Sequence, residues 1–324
     1  MQFYKMVKVS LSTLALLLTM AASAQNYPER ALTIVVPFTP GGVSDITARP
    51  LAAAMSTNLG QSIVIDNKGG AGGAIGMAAA ARAKPDGYTL MMALPSMITI
   101  PISDRISGRA STFQINQFKP IARLTADPTV LAVRADSPWK TLGDFVRDAR
   151  NKPGTISYSS SGLYGTTHVA MEILAYAANL KLVHVPYSGG GLQVNALLGG
   201  HVDATMQTPG AIASQIAGGK LRVLATMSKD RVASLPDVPT ATELGYKGEF
   251  YLWTGLFAPA NTPEPVVNRL RASVKEASNN NIFKSAMTGL NTPIHYLDSD
   301  DFAKFIVEDT KRLDTVLTSM GEIK

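Results

Sequence analysis

The chain of 324 residues contains no cysteine. This absence excludes disulfide bonds, a thiol nucleophile and thiolate metal ligands. The few histidines are not spaced as H-x-x-x-H or H-x-x-E-H, the spacings of helical metal sites; they are His168, His184, His201 and His295. We therefore expect neither a bound metal nor a cofactor.

Charge is also scarce. Charged residues make up 17% of the chain, and the formal net charge of +6 is not gathered into a basic block, which argues against nucleic-acid binding. Neither a P-loop nor a G-x-S-x-G nucleophile motif is present. A hydrolase would have to assemble scattered residues such as Ser160, His168 and Asp203, for which the sequence gives no geometry. We therefore expect a binding protein rather than an enzyme.

Long apolar runs are missing as well. The most apolar stretch covers about ten residues, at 11–20, which is half the length that a membrane-spanning helix needs. Lys5 and Lys8 precede it, and Ala22-Ser23-Ala24 follows it in the small-x-small pattern of a cleavage site. This combination predicts a signal peptide over residues 1–24 and a location in the periplasm.

The remaining chain alternates apolar, β-branched runs with glycine loops and alanine-rich segments, which predicts an α/β fold. Residues 121–134 are typical of two short strands joined by a turn, and the last third is rich in amphipathic helices and poor in strands. We expect this tail to return to the first lobe. Pro50 should kink or delay the first helix. The predicted division is lobe 1 over residues 25–125 and 250–324, and lobe 2 over residues 126–249.

Two strand-loop-helix junctions, at residues 39–45 and 159–168, have loops of small residues without Arg or Lys. A helix N-terminus offers unpaired N–H groups and a partial positive charge, and glycine permits close approach, so such junctions suit carboxylate oxygens. We expect Gly41 and Gly42 to present backbone N–H groups to a carboxylate. A third run, Gly70 to Gly76, has the spacing G-x-G-x-x-x-G and departs from the dinucleotide fingerprint.

At these residues the sequence resembles the Bug-type extracytoplasmic receptors of tripartite tricarboxylate transporters. The resemblance covers nearly the whole chain after residue 24, and no single motif carries it. The landmarks are Pro37-Phe38-x-Pro40-Gly41-Gly42-x-x-Asp45, Asn67-x-x-Gly70-Ala71-Gly72-Gly73, Pro85-Asp86-Gly87-Tyr88, Ser159-Ser160-x-Gly162, Val185-Pro186-Tyr187, Val202-Asp203 and Leu235-Pro236-Asp237-Val238-Pro239.

The resemblance implies a type II periplasmic-binding-protein fold, in which two lobes with parallel-rich sheets are joined by a two-strand hinge. It also implies a small carboxylate ligand, a membrane permease as partner, and a monomer. A sensing receptor stays open as an alternative. The bulky Leu163 and Tyr164 depart from the family pattern and could reshape the pocket or cover its rim. The implied ligand-facing positions are Phe38, Thr39, Gly41, Gly42, Asp45, Asn67, Gly72, Ser96, Ser160, Ser161, Gly162, Tyr164, Thr166, Thr167, His168, Tyr187, Asp203 and Gln207.

Overall fold

The computed structural model describes residues 27–323, and the predicted signal peptide lies outside them. Two sheets organise the described chain, each flanked by helices. No helix within residues 27–323 combines the length and apolarity needed to cross a membrane.

The first sheet has six strands in the order β11-β4-β10-β3-β1-β2. β1 is parallel to β2 and β3, whereas β10 and β4 run antiparallel to their neighbours. The strands are β1 (Leu32–Val36), β2 (Ile63–Asn67), β3 (Thr89–Ala93), β4 (Phe118–Pro128), β10 (Tyr251–Pro259) and β11 (Ile294–Asp298).

The second sheet has five strands in the order β7-β6-β8-β5-β9. β6 is parallel to β7 and β8, and β5 is antiparallel to β8 and β9. Both sheets are mixed, but four of the six strands in the first and four of the five in the second point the same way, because β10 and β5 each run antiparallel between two such strands. The predicted α/β fold of two lobes with parallel-rich sheets is confirmed. The strands are β5 (Val130–Arg134), β6 (Ser157–Ser160), β7 (Val183–Pro186), β8 (Ala204–Gln207) and β9 (Leu221–Thr226).

The helices follow the parallel strands in sequence, as expected for crossover connections. Pro50 lies inside α1, which nevertheless begins at Val43 and continues to Leu59, so the expected delay is wrong. The ten helices among the described residues are α1 (Val43–Leu59), α2 (Ala74–Ala81), α3 (Ser96–Ile106), α4 (Leu142–Asn151), α5 (Thr166–Ala178), α6 (Gly190–Leu198), α7 (Ala213–Ala217), α8 (Glu264–Asn279), α9 (Asn281–Gly289) and α10 (Ser299–Met320).

The chain crosses between the sheets at Thr129 and returns between β9 and β10. β4 and β10 pair along their whole length, from Tyr251 opposite Pro128 to Pro259 opposite Phe118. Thr129 donates its N–H to the Phe250 carbonyl, so the two crossings are hydrogen-bonded to each other. The prediction of two short strands joined by a turn within residues 121–134 is wrong, because β4 continues to Pro128 and β5 begins at Val130 in the other sheet.

The C-terminal segment packs on the first lobe. β11 pairs with the edge of β4, and α10 covers β4. Phe302 of α10 meets Trp253 of β10 edge-on, with ring centroids 5.5 Å apart, and both side chains are fully buried. Burial of such aromatic rings is a large apolar contribution, so it fixes the tail against the hinge strands.

Candidate functional site

The carboxyl ends of the parallel strands of the two lobes face each other across a cleft, and the loops that follow them touch. A Cβ atom placed on Gly42 would lie 3.3 Å from the nitrogen of Gly190, and one placed on Gly162 would lie 2.4 Å from the nitrogen of Gly72. At Gly162 this approach requires a residue without a side chain, and at Gly42 a side chain would be crowded against Gly190. The structure is therefore a closed arrangement of the two lobes.

Helices that begin at this cleft lack side-chain caps. The N-cap residues of α1, α5 and α6 are Gly42, Gly165 and Gly189, and none of them offers a side-chain acceptor to its helix. In contrast, α4 and α10 begin at the opposite edges of their sheets and are capped by Thr141 and Asp298. Because the first N–H groups of a helix have no intrahelical partner, the cleft gathers donors from both lobes.

The first loop is held by the Asp45 carboxylate. Oδ2 of Asp45 accepts the Gly41 N–H at 3.0 Å and Arg49 Nε at 2.9 Å, while Oδ1 accepts Arg49 Nη2 and Asn67 Nδ2. The prediction that Gly41 offers its N–H to a ligand is therefore wrong, because that donor is already engaged. Gly42 and the first turn of α1 are the remaining donors of this loop.

Asp45 and Asn67 stabilise the first loop through hydrogen bonds to its backbone and to each other. Asn67 also donates to the Phe38 carbonyl, at 3.1 Å. Burial opposes ionisation of Asp45, but the hydrogen bonds from Arg49, Gly41 and Asn67 outweigh it, and the pKa of Asp45 is lowered. The charge of Arg49 is thereby neutralised, so the cleft carries no free arginine at this point.

The second loop is ordered by hydroxyl groups. Thr167 Oγ1 accepts the Ser161 N–H at 2.9 Å and lies 3.0 Å from Gln193 Oε1. Gln193 donates in turn to the Met206 carbonyl at the end of β8. Gln193 was not among the predicted residues; it is a fully buried polar residue in α6, and its role depends on contacts that the sequence does not reveal.

Residues of α3 bind the second loop directly across the cleft. The Ser96 N–H donates to Thr166 Oγ1 at 3.1 Å, and Thr99 Oγ1 donates to the Tyr164 carbonyl at 2.7 Å. The Tyr164 ring is 4% exposed, its hydroxyl lies 3.1 Å from Ser107 Oγ, and the Arg109 guanidinium lies 4.6 Å from the ring centroid. Tyr164 therefore joins the lobes in the closed form.

Two histidines stack beneath the second loop. The rings of His168 and His184 are 3.9 Å apart, and His184 Nε2 lies 2.6 Å from Ser160 Oγ. Tyr158 stacks on His184 and donates to Glu172. Burial lowers the pKa of His184 to about 4, so this ring is neutral at pH 7.

We expect the low pKa of His184 to make stability pH-dependent. Its value falls from 6.5 in the unfolded chain to about 4 when folded, so protonation favours the unfolded state below pH 6.5. The contribution is complete above pH 6.5 and is lost as the pH falls towards 4. Thermal melts of wild type and His184→Gln should diverge in pH dependence within this window; parallel curves would contradict the assignment.

Most of the other predicted residues also lie at the cleft. Thr39 donates its N–H to the Ser188 carbonyl at 3.4 Å, and its buried hydroxyl has no hydrogen-bond partner among the described residues, as is true of the Ser96 hydroxyl. Tyr187 directly follows β7 and donates its N–H to the Ser160 carbonyl. Gln207 ends β8, with Nε2 3.5 Å from the Gly190 carbonyl.

Asp203 is the exception. It precedes β8, and its carboxylate accepts the N–H and hydroxyl of Ser157, the first residue of β6. Because β6 and β8 are parallel, both residues lie at the amino ends of their strands, opposite the cleft. The prediction of Asp203 as a ligand-facing residue is corrected accordingly: it ties two strands together.

The chain matches known proteins over nearly its full length. The solved structure of the periplasmic binding protein BugD has a TM-score of 0.85 and 31% identity, covering 91% of this chain and 99% of that one. MatC from Rhodopseudomonas palustris, described with bound malate, has a TM-score of 0.83 and 30% identity, covering 90% and 99%. A further protein from that organism, described with adipate, has a TM-score of 0.84 and 28% identity, covering 91% and 98%.

These structures confirm the predicted periplasmic-binding-protein fold and the Bug-type resemblance. The family model described as tripartite tricarboxylate transporter family receptor matches residues 47–321, most of the chain and both lobes. The chain belongs to the tripartite tricarboxylate transporter receptor family.

Proposed function

We propose that this protein is a periplasmic receptor that captures a small dicarboxylate by closure of its two lobes and delivers it, as a monomer, to a membrane permease. The observation that carries the proposal is the convergence of α1, α5 and α6, which begin without side-chain caps at one cleft. Such helix ends attract anions through their N–H groups and their partial positive charge.

The loops offer an anion neutral hydrogen-bond donors rather than cationic side chains. The buried hydroxyls of Thr39 and Ser96 have no hydrogen-bond partner among the described residues and are available as donors. The arginine nearest the first loop, Arg49, is already paired with Asp45. Binding would therefore depend on neutral donors and on helix ends rather than on an arginine clamp. Family members of similar structure are described with malate and adipate, which supports a ligand of that class.

A thermal-shift screen tests the proposal. Malate and adipate at about 100 times their dissociation constants should stabilise the protein by roughly 2.7 kcal/mol, because they bind only the folded state. The matched control for adipate is 1,6-hexanediol, which keeps the carbon chain and lacks the carboxylates. Stabilisation by the diol, or none by any di- or tricarboxylate, would overturn the proposal.

A further inference from the structure

A second cavity lies behind the hinge. It has a volume of about 1040 Å³ and is bounded by β4 and β10, by α5 of the second lobe and by α10 of the tail. α5 begins at the cleft with Thr166, whereas Tyr176, near its other end, lines this cavity. Ten residues of helix extend about 15 Å, so the cavity is separate from the cleft.

An arginine without a counter-ion lines the cavity. Arg123 of β4 donates Nε to the His295 carbonyl at 3.1 Å, and its guanidinium carbon lies 4.6 Å from the centre of the Phe305 ring. Among residues 27–323 no carboxylate lies within 4 Å of it. A partly buried, unpaired charge is costly, so an anion in the cavity would stabilise it.

The acidic residue beside Arg123 is engaged elsewhere. Asp309 accepts Trp253 Nε1 through Oδ2 at 2.9 Å and both Nε and Nη2 of Arg312 through Oδ1. Burial lowers the pKa of Arg123, and Asp309 only partly opposes this shift. Asp309 therefore neutralises Arg312, and the positive charge of Arg123 remains available to a ligand.

Four aromatic side chains line the cavity, together with aliphatic residues and the charged Lys247, Glu249 and Arg312. Trp253 and Phe305 meet edge-to-face with centroids 6.1 Å apart, and Tyr251 and Tyr176 are the other two aromatic side chains of the lining. Tyr176 is 60% exposed although it is a large side chain. The aromatic ring of a ligand could pack against these side chains, because offset and edge-to-face contacts between rings are favourable.

We propose that this cavity binds a small aromatic carboxylate, whose carboxylate group pairs with Arg123 while its ring packs among Tyr251, Phe305 and Tyr176. The volume is similar to that of small-molecule sites, which combine apolar walls with a few polar groups. This site does not depend on the ligand of the cleft.

Tryptophan fluorescence reports on the site directly. The chain has two tryptophans, so Trp139→Phe leaves Trp253, which lines the cavity, as the only tryptophan, excited selectively at wavelengths that tyrosine does not absorb. We expect 2-naphthoate to quench it saturably. In the same background Arg123→Gln should weaken binding at least about tenfold, because it removes a charge-assisted contact. Arg147→Gln, which makes the same charge change on exposed α4, should leave the dissociation constant unchanged.

Competition with adipate separates this proposal from the function of the cleft. Adipate bound in the cleft stabilises the closed arrangement in which the cavity is seen, so 2-naphthoate should bind with the same dissociation constant with and without saturating adipate. Three results would each overturn the proposal: no saturable quenching, equal affinity in Arg123→Gln, or displacement of 2-naphthoate by adipate, which would assign the ligand to the cleft.

Discussion

Gly42→Val is expected to fold and to lose at least tenfold in affinity for the dicarboxylate. The backbone of Gly42, with φ −84° and ψ 170°, is open to any residue, so valine adds no backbone strain. Its side chain would, however, point at Gly190, whose nitrogen lies 3.3 Å from the Cβ position. The substitution therefore obstructs both closure and the approach of a carboxylate, and one lost hydrogen bond to a charged group alone costs about 1.5–3 kcal/mol.

Isothermal calorimetry with adipate or malate measures the effect, and circular dichroism verifies the fold. Gly289→Val is the matched control, since a Cβ atom at Gly289 has no neighbour within 4 Å and its φ is not positive. This control should bind as wild type does. A folded Gly42→Val variant with unchanged affinity would mean that the first loop does not meet the start of α6 at Gly190 in the bound form.

Tyr164→Ala should shift the protein towards the open form and lower affinity about tenfold or more. The ring is buried against α3 only while the lobes are together, and burial of such a side chain contributes roughly 1.5–3 kcal/mol. Because this free energy stabilises the closed state, its loss weakens any ligand that binds by closure. Small-angle scattering at a fixed adipate concentration should show a larger radius of gyration than wild type.

Tyr164→Phe is the control, because it keeps the ring and its contact with Arg109 and removes only the hydroxyl near Ser107. A neutral hydrogen bond contributes about 0.5–1.5 kcal/mol, so affinity should fall by at most about tenfold. Equal affinity and equal dimensions for wild type and Tyr164→Ala would show that Tyr164 does not join the lobes in solution.

The first half of each lobe was predictable because its signals are local. The apolar run before Phe38 forms β1, residues 62–67 form β2, and the glycine loops precede helices as expected. These features follow from hydrophobic runs and from glycine, which are properties of neighbouring residues. The position of the cleft at the carboxyl ends of the strands could also be predicted, since the loops that follow parallel strands lie on one side of a sheet.

The errors arose where contacts join distant parts of the chain. Asp203 was assigned to the cleft because it lies in a family motif, but only strand direction shows that it is at the amino end of β8. Gly41 was expected to donate to a ligand, and its N–H is taken by a side chain one helical turn away. The contact between Thr99 and Tyr164 joins residues 65 positions apart, and no local pattern marks it.

The absence of side-chain caps at the cleft has an evolutionary consequence. The donors that we propose for the anion belong to the main chain, and a point substitution seldom removes a peptide N–H. Residues around Gly42, Gly165 and Gly189 can therefore be exchanged to reshape the pocket while the attraction for a carboxylate persists. Relatives built on this fold could acquire new ligands by mutation of the pocket walls alone. Each new ligand would still be held by the same main-chain N–H groups at the helix N-termini.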